Sequence, residues 1–158
     1  MEPENTNVRD EAARLAFNLA DLSTGQTAQQ YWQESISAFE RVLASPDKDQ
    51  LDEQALLEST CFLAHAFTKS GLYLRARQTL DLITACQPRY AFAYYVLACH
   101  CSLWAEQENR ETLLAQALLF LEKAVKLRSE LRFQASLEPD LNCLRSHQTD
   151  AFKQILGL

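Results

Sequence analysis

Cysteine and histidine are the side chains in this sequence best able to do chemistry. There are five cysteines, Cys61, Cys86, Cys99, Cys101 and Cys143, and three histidines, His65, His100 and His147. Such groups hold borderline-soft metals or pair as nucleophile and base. Cys99-His100-Cys101 sets three ligand types in a row, but successive helical residues point about 100° apart and cannot close on one ion. Cys61 and His65 stand at i, i+4 on one helical face, and Cys99 on a neighbouring helix would add a third ligand. That trio makes a metal-binding regulator one reading of the chain. Zinc sites usually carry paired, close-spaced ligands on loops, and thiols without that spacing behave as small buried hydrophobes. No cofactor or metal is expected.

Other catalytic signatures are missing. There is no glycine-rich phosphate loop, no Gly-x-Ser-x-Gly elbow and no His-Glu-x-x-His pair. The carboxylate pairs Asp52/Glu53 and Glu106/Glu108 fall at helix ends, where capping and solvation account for them. Asp47-x-Asp49 begins like a calcium loop but lacks the glycine and the later glutamate. A non-enzyme is expected.

The net charge of −6 is unevenly spread. Residues 1–60 hold 4 Lys/Arg against 12 Asp/Glu, whereas residues 61–109 hold 4 against 3 and residues 110–158 hold 7 against 6. An acidic chain without a basic stripe repels a phosphate backbone, so nucleic acid is not an expected partner. The acidic first third favours a basic partner or is simply a solvated face. No run approaches the ~20 apolar residues of a membrane span, so no membrane insertion is expected. Met1-Glu2-Pro3-Glu4-Asn5 lacks the basic and apolar regions of a signal peptide. The expectation is a flexible tail over residues 1–8 and a cytoplasmic protein whose thiols stay free.

The elements that position these residues are helices. Gly25, Pro46, Gly71, Pro88 and Pro139 all lie between periodic segments, and sustained strand alternation is absent. Ala12, Leu15, Ala16, Leu19 and Leu22 share one face and predict a helix over residues 9–22. Trp32, Ile36, Phe39 and Leu43 predict a second over 28–44. Asp52 is placed to cap a third, which carries Leu56, Leu63 and Phe67 to residue 70. The fourth covers 72–86. The fifth, which begins after Pro88 and runs to about residue 107, is apolar almost all round and therefore central. The sixth covers 111–129, with Leu114, Ala117, Leu121 and Ala124 inward. The expected fold is all-α, with antiparallel helix pairs in a single domain over 9–158.

The stretch Leu63-Ala64-x-x-Phe67-x-x-x-Gly71-x-Tyr73-x-x-Ala76-x-x-x-Leu80, closed by Pro88, resembles the tetratricopeptide-repeat family. Thr60 stands where the family favours Trp, and Ile83 where it favours Ala. The resemblance implies a short α-solenoid of three helix pairs: a degenerate repeat over 9–44, the best match over 52–88 and an extended one over 90–129. In that last repeat Ala98 and Ala117 lie seven residues further apart than Ala64 and Ala76, about two helical turns. Leu137-Glu138-Pro139-Asp140-Leu141-x-x-Leu144-Arg145, with Phe152, Ile155 and Leu156, looks like the closing segment of bacterial members, a cap over 130–158. Physically, such a cap covers the apolar face left open at the last helix.

The resemblance also implies a concave groove lined by first helices. Carried over, it comprises Glu58, Cys61, His65 and Lys69 on the third helix and Phe92, Tyr95, Cys99 and Ser102 on the fifth. Glu58, His65 and Lys69 are polar on an otherwise packed helix, and Phe92 and Tyr95 are aromatics beyond one packing stripe. The lysine–asparagine clamp for a terminal carboxylate is missing, because Phe62 and Val96 carry no amide. The expected function is a non-catalytic adaptor or scaffold that binds a peptide or helix of another protein, with self-association left open. The alternative is a bacterial secretion-type chaperone that keeps its partner soluble.

Overall fold

The computed structural model describes residues 5–158. Residues 1–4 of the expected tail lie outside the described residues, and residues 6–8 belong to the first helix instead. The described residues form nine α-helices and two short 3-10 turns, with no strand, so the all-helical expectation holds. The helices are α1 (Thr6–Asp21), α2 (Gly25–Ala44), α3 (Glu53–Lys69), α4 (Tyr73–Cys86), α5 (Ala91–Glu108), α6 (Glu111–Leu127), α7 (Leu131–Leu137), α8 (Asn142–His147) and α9 (Thr149–Leu156). The 3-10 turns are Lys48–Gln50 and Pro139–Leu141. The chain divides into two compact units, one ending at Ala76 and one running from Arg77 to Leu158.

Local chemistry sets the helix ends. A side-chain oxygen of Asp52 accepts the Ala55 N–H at 2.7 Å, an N-cap that satisfies one of the orphan donors of α3. At the other end Gly71 adopts φ +78°, which only glycine reaches without strain. The Leu72 N–H then reaches the Phe67 carbonyl at 2.8 Å and the Gly71 N–H that of Thr68 at 3.0 Å, the double bond of a Schellman stop. Asn109, at φ 51°, ends α5 in the same left-handed region. The extra residues of the last long pair lie within the helices: α5 continues past Ala98 to Glu108, and α6 starts at Glu111, leaving only Asn109 and Arg110 between.

In the N-terminal unit α1 pairs with α2, and α2 with α3. Its core gathers Ala13, Ala20, Trp32, Ile36, Phe39, Leu63, Ala66, Phe67 and Ala76. The expected stripe of α2 is thus in place, with Leu43 packed against it.

The expected stripe of α1 is not. Leu15, Leu19 and Leu22 are 60%, 38% and 85% exposed. The buried side is instead Thr6, Asp10, Ala13 and Ala20, with Phe17 packed on the core. Small side chains let α1 lie close to its neighbour, and the two polar groups on that face are hydrogen-bonded or buried near its start. Packing here selects shape over hydrophobicity.

In the C-terminal unit α5 pairs with α6 and also meets the Pro139–Leu141 turn and α8. Its residues from Ala93 to Ser102 are all buried, as the all-round apolar pattern predicts. Leu141, Leu144, Phe152 and Leu156 are buried too, and α8 and α9 pack on α6. These residues lie together because a terminal helix face that is apolar must be covered by something.

Candidate functional site

The eight residues expected to line a groove divide between the two units. In the N-terminal unit Glu58, Cys61, His65 and Lys69 follow one another along α3. Glu58 meets α1: Arg14 donates from Nη1 to its carboxylate at 3.2 Å and from Nε to Asp10 at 2.8 Å. Ser59 donates its hydroxyl to the other oxygen of Asp10 and accepts from Arg14 Nη2 at 3.2 Å. Asp10 is thereby buried with its charge answered on both oxygens, the condition under which a carboxylate can leave water. The Arg14 guanidinium also lies 5.1 Å over the Phe62 ring.

His65 sits among rings, 5.5 Å from Phe17 and 6.4 Å from Trp32 by centroid. Lys69 Nζ stands 5.8 Å over Trp32 and 3.9 Å from Asp21. Cys61 is fully buried, and burial, with the nearby Glu58 carboxylate, pushes its thiol up to about 12. A thiol held protonated is neither a nucleophile nor a ready metal ligand.

In the C-terminal unit Phe92 and Tyr95 stack at 6.4 Å, and Tyr95 donates its hydroxyl to Glu138 Oε2 at 3.1 Å. Burial first, then the nearby Cys99 and Glu138, raises the Tyr95 phenol far above its ordinary range. Cys99 and Ser102 are buried, and the Ser102 hydroxyl accepts the Leu144 N–H at 3.3 Å. Tyr95 and Ser102 are therefore bonded to the chain's own Glu138–Leu144 segment, Cys99 is buried, and Phe92 is half-buried.

One pair not considered among the candidates above lies on α8. Cys143 Sγ is 3.8 Å from His147 Nδ1, and both line a cleft of about 240 Å³ with Glu106, Arg110 and Ser146. The same Nδ1 is 2.9 Å from the Cys143 carbonyl oxygen, an atom that only accepts. Nδ1 must carry the proton, so it cannot take one from the thiol. Burial and Glu106 also raise the Cys143 thiol. The dyad is not primed for nucleophilic attack. Among the described residues no group of three or more His, Cys, Asp or Glu side chains is placed to hold a metal ion.

The surface holds a second feature beside α1. A cleft of about 530 Å³ is lined by Arg9, Ala12, Ala38, Arg41, Ala44 and Ser45. It borders the row of Val8, Leu15, Leu19 and Leu22, all exposed. The spacing that predicted a core stripe could equally have flagged this surface.

Comparison with protein-family models, with curated proteins and with solved structures finds no match. Among the described residues no helix is long and apolar enough to cross a membrane.

Proposed function

We propose that this chain is a non-catalytic protein-interaction module of tetratricopeptide-like construction, acting as an adaptor or scaffold in the cytoplasm. One contrast carries the reading. The polar groups that could do chemistry are committed internally: Asp10, Arg14, Glu58 and Ser59 to one another, and Cys61, Cys99 and Tyr95 to burial. Large apolar side chains, in contrast, remain in water, three of them on α1 and a fourth, Leu22, at its C-cap. Surfaces of this kind serve association rather than turnover. The antiparallel pairs and the Gly71 stop support the repeat-like construction, and five free thiols support a reducing compartment.

The exposed row on α1 also favours the chaperone reading, since a chaperone grips apolar segments of its client. Co-purification from the native host, followed by reconstitution with the purified partner, tests the proposal. A stoichiometric protein partner that is stable alone supports the adaptor, and one that precipitates alone supports the chaperone. A chain that returns no protein partner, or that holds stoichiometric metal, removes the proposal.

A further inference from the structure

We infer that copies of this chain associate head to tail, with the exposed row along α1 of one copy seated in the groove between α6 and α9 of the next. The inference rests on the protein-binding reading above and adds a partner to it, a second copy. Val8, Ala12, Leu15, Leu19 and the C-cap residue Leu22 recur at intervals of four and three, and all five are exposed. They form a ridge about 21 Å long at about 1.5 Å per residue. The C-terminal unit carries the matching shape, a cleft of about 580 Å³ between α6 and α9 that is lined by Leu118, Leu119, Ala151 and Ile155. Its α6 wall runs from Ala115 to Lys126, about 17 Å at the same rise. Helices pack by setting a ridge of one surface into a groove of another.

Charge selects this pairing from the ways in which two copies can meet. Glu11 stands at one edge of the row and Arg132 lines the groove; both are exposed, and neither joins an ion pair among the described residues. The other charges on the groove, Glu122 and Lys126, already answer each other at 2.7 Å. Row in groove therefore lets each unpaired group meet its opposite. Row on row does not. An antiparallel pair sets like edges together, and a parallel pair turns Glu11 toward the edge of Arg9, which already has a partner. Either direction also brings together two segments that each hold 12 Asp/Glu against 4 Lys/Arg over residues 1–60. Groove on groove, in either direction, supplies Arg132 with no unpaired carboxylate from the cleft lining. Residues 110–158, with 7 Lys/Arg against 6 Asp/Glu, receive the acidic end of a neighbour without that repulsion. Such a contact is heterologous: each added copy keeps one free row or groove at either end, so copies join until a ring closes.

Sedimentation of the full chain from micromolar to millimolar concentration makes the test, and the average mass is expected to rise across that range. Leu15→Glu with Leu19→Glu removes the row, and Leu119→Glu removes the groove. All three side chains are exposed, so both variants should keep the helical signal of the wild type. Each variant alone is expected to be monomeric. Their equimolar mixture should form a dimer and nothing larger, because one intact row then meets one intact groove. Arg132→Glu should weaken association about threefold, and Glu11→Arg in the same chain should restore it. A wild-type chain that stays monomeric at millimolar concentration overturns the inference, as does a mixture of the two variants that stays monomeric. A row variant that still dimerises would assign the contact to paired grooves, and a groove variant that still dimerises would assign it to paired rows; either overturns the inference. If the wild type is monomeric while the row variant loses a co-purified partner, the row belongs to another protein, and only the broader reading stands. If copies assemble and no other protein co-purifies, the self-association stands and the adaptor reading fails.

Discussion

The C-terminal unit covers its long apolar helix with its own chain, whereas the N-terminal unit leaves an apolar row of α1 in water. In the first, Glu138 holds Tyr95, the Leu144 amide is held by Ser102, and Leu141, Leu144, Phe152 and Leu156 go under cover. In the second, Val8 is 57% and Leu22 85% exposed, while the buried side of the same helix includes an aspartate. The comparison separates two jobs of hydrophobic surface. Covered, it contributes to stability; left out, it is available to another molecule.

The largest expected effect tests the covered side. Phe152→Ala removes a ring that is 2% exposed and should cost about 3–5 kcal/mol in urea unfolding. A loss below about 1 kcal/mol would mean that the closing segment is a loosely held appendage. Next comes Ala76→Leu, at a position with no exposure inside the N-terminal core. Overpacking there should lower stability by about 1–3 kcal/mol, and an unchanged melting midpoint would show that the α4 end of this core yields freely.

Alkaline pH compares the two interiors directly. Burial pushes Cys61 in one unit and Cys101 in the other up to about 12 each. An unfolded thiol ionises near ~8.5, so above that pH the unfolded state holds fewer protons than the native one. Stability is therefore full below about pH 8.5 and falls as pH climbs toward 12, by at most about 1.4 kcal/mol per pH unit per thiol. Cys61→Ala should shallow that slope, and a slope left as before would mean that water already reaches the thiol. The smallest effect belongs to the open row: Leu15→Ser should change stability by less than about 0.5 kcal/mol. A larger loss in thermal melting would show that the row is packed after all.

Much of the fold was legible because its punctuation is local. Gly71, Asp52 and Asn109 act through bonds within a few residues, so helix ends follow from residue type and spacing. The face of α1 was not legible. Periodicity finds the most apolar side of a helix, but Ala13 and Ala20 allow closer packing than leucines would, and Asp10 can go inside only because Arg14 and Ser59 meet it there. The Ser59 partner is 49 residues away in sequence. The residues expected on the groove at α5 raise the same difficulty. Nothing local to Tyr95 or Ser102 names Glu138 or Leu144, although the all-round apolar pattern of α5 already implied neighbours on every side.

The hydrogen bonds from α5 to the Glu138–Leu144 segment also have a consequence for biosynthesis. A ribosome delivers α5 before the residues that shelter it. Between Glu108 and Phe152 translation takes about 2–9 s at about 5–20 residues per second. Throughout that interval the nascent α5 offers the stacked rings of Phe92 and Tyr95 to whatever is nearby. Cellular folding assistance would be drawn to this window, and a premature stop shortly after α6 would leave it open permanently, marking the product for degradation.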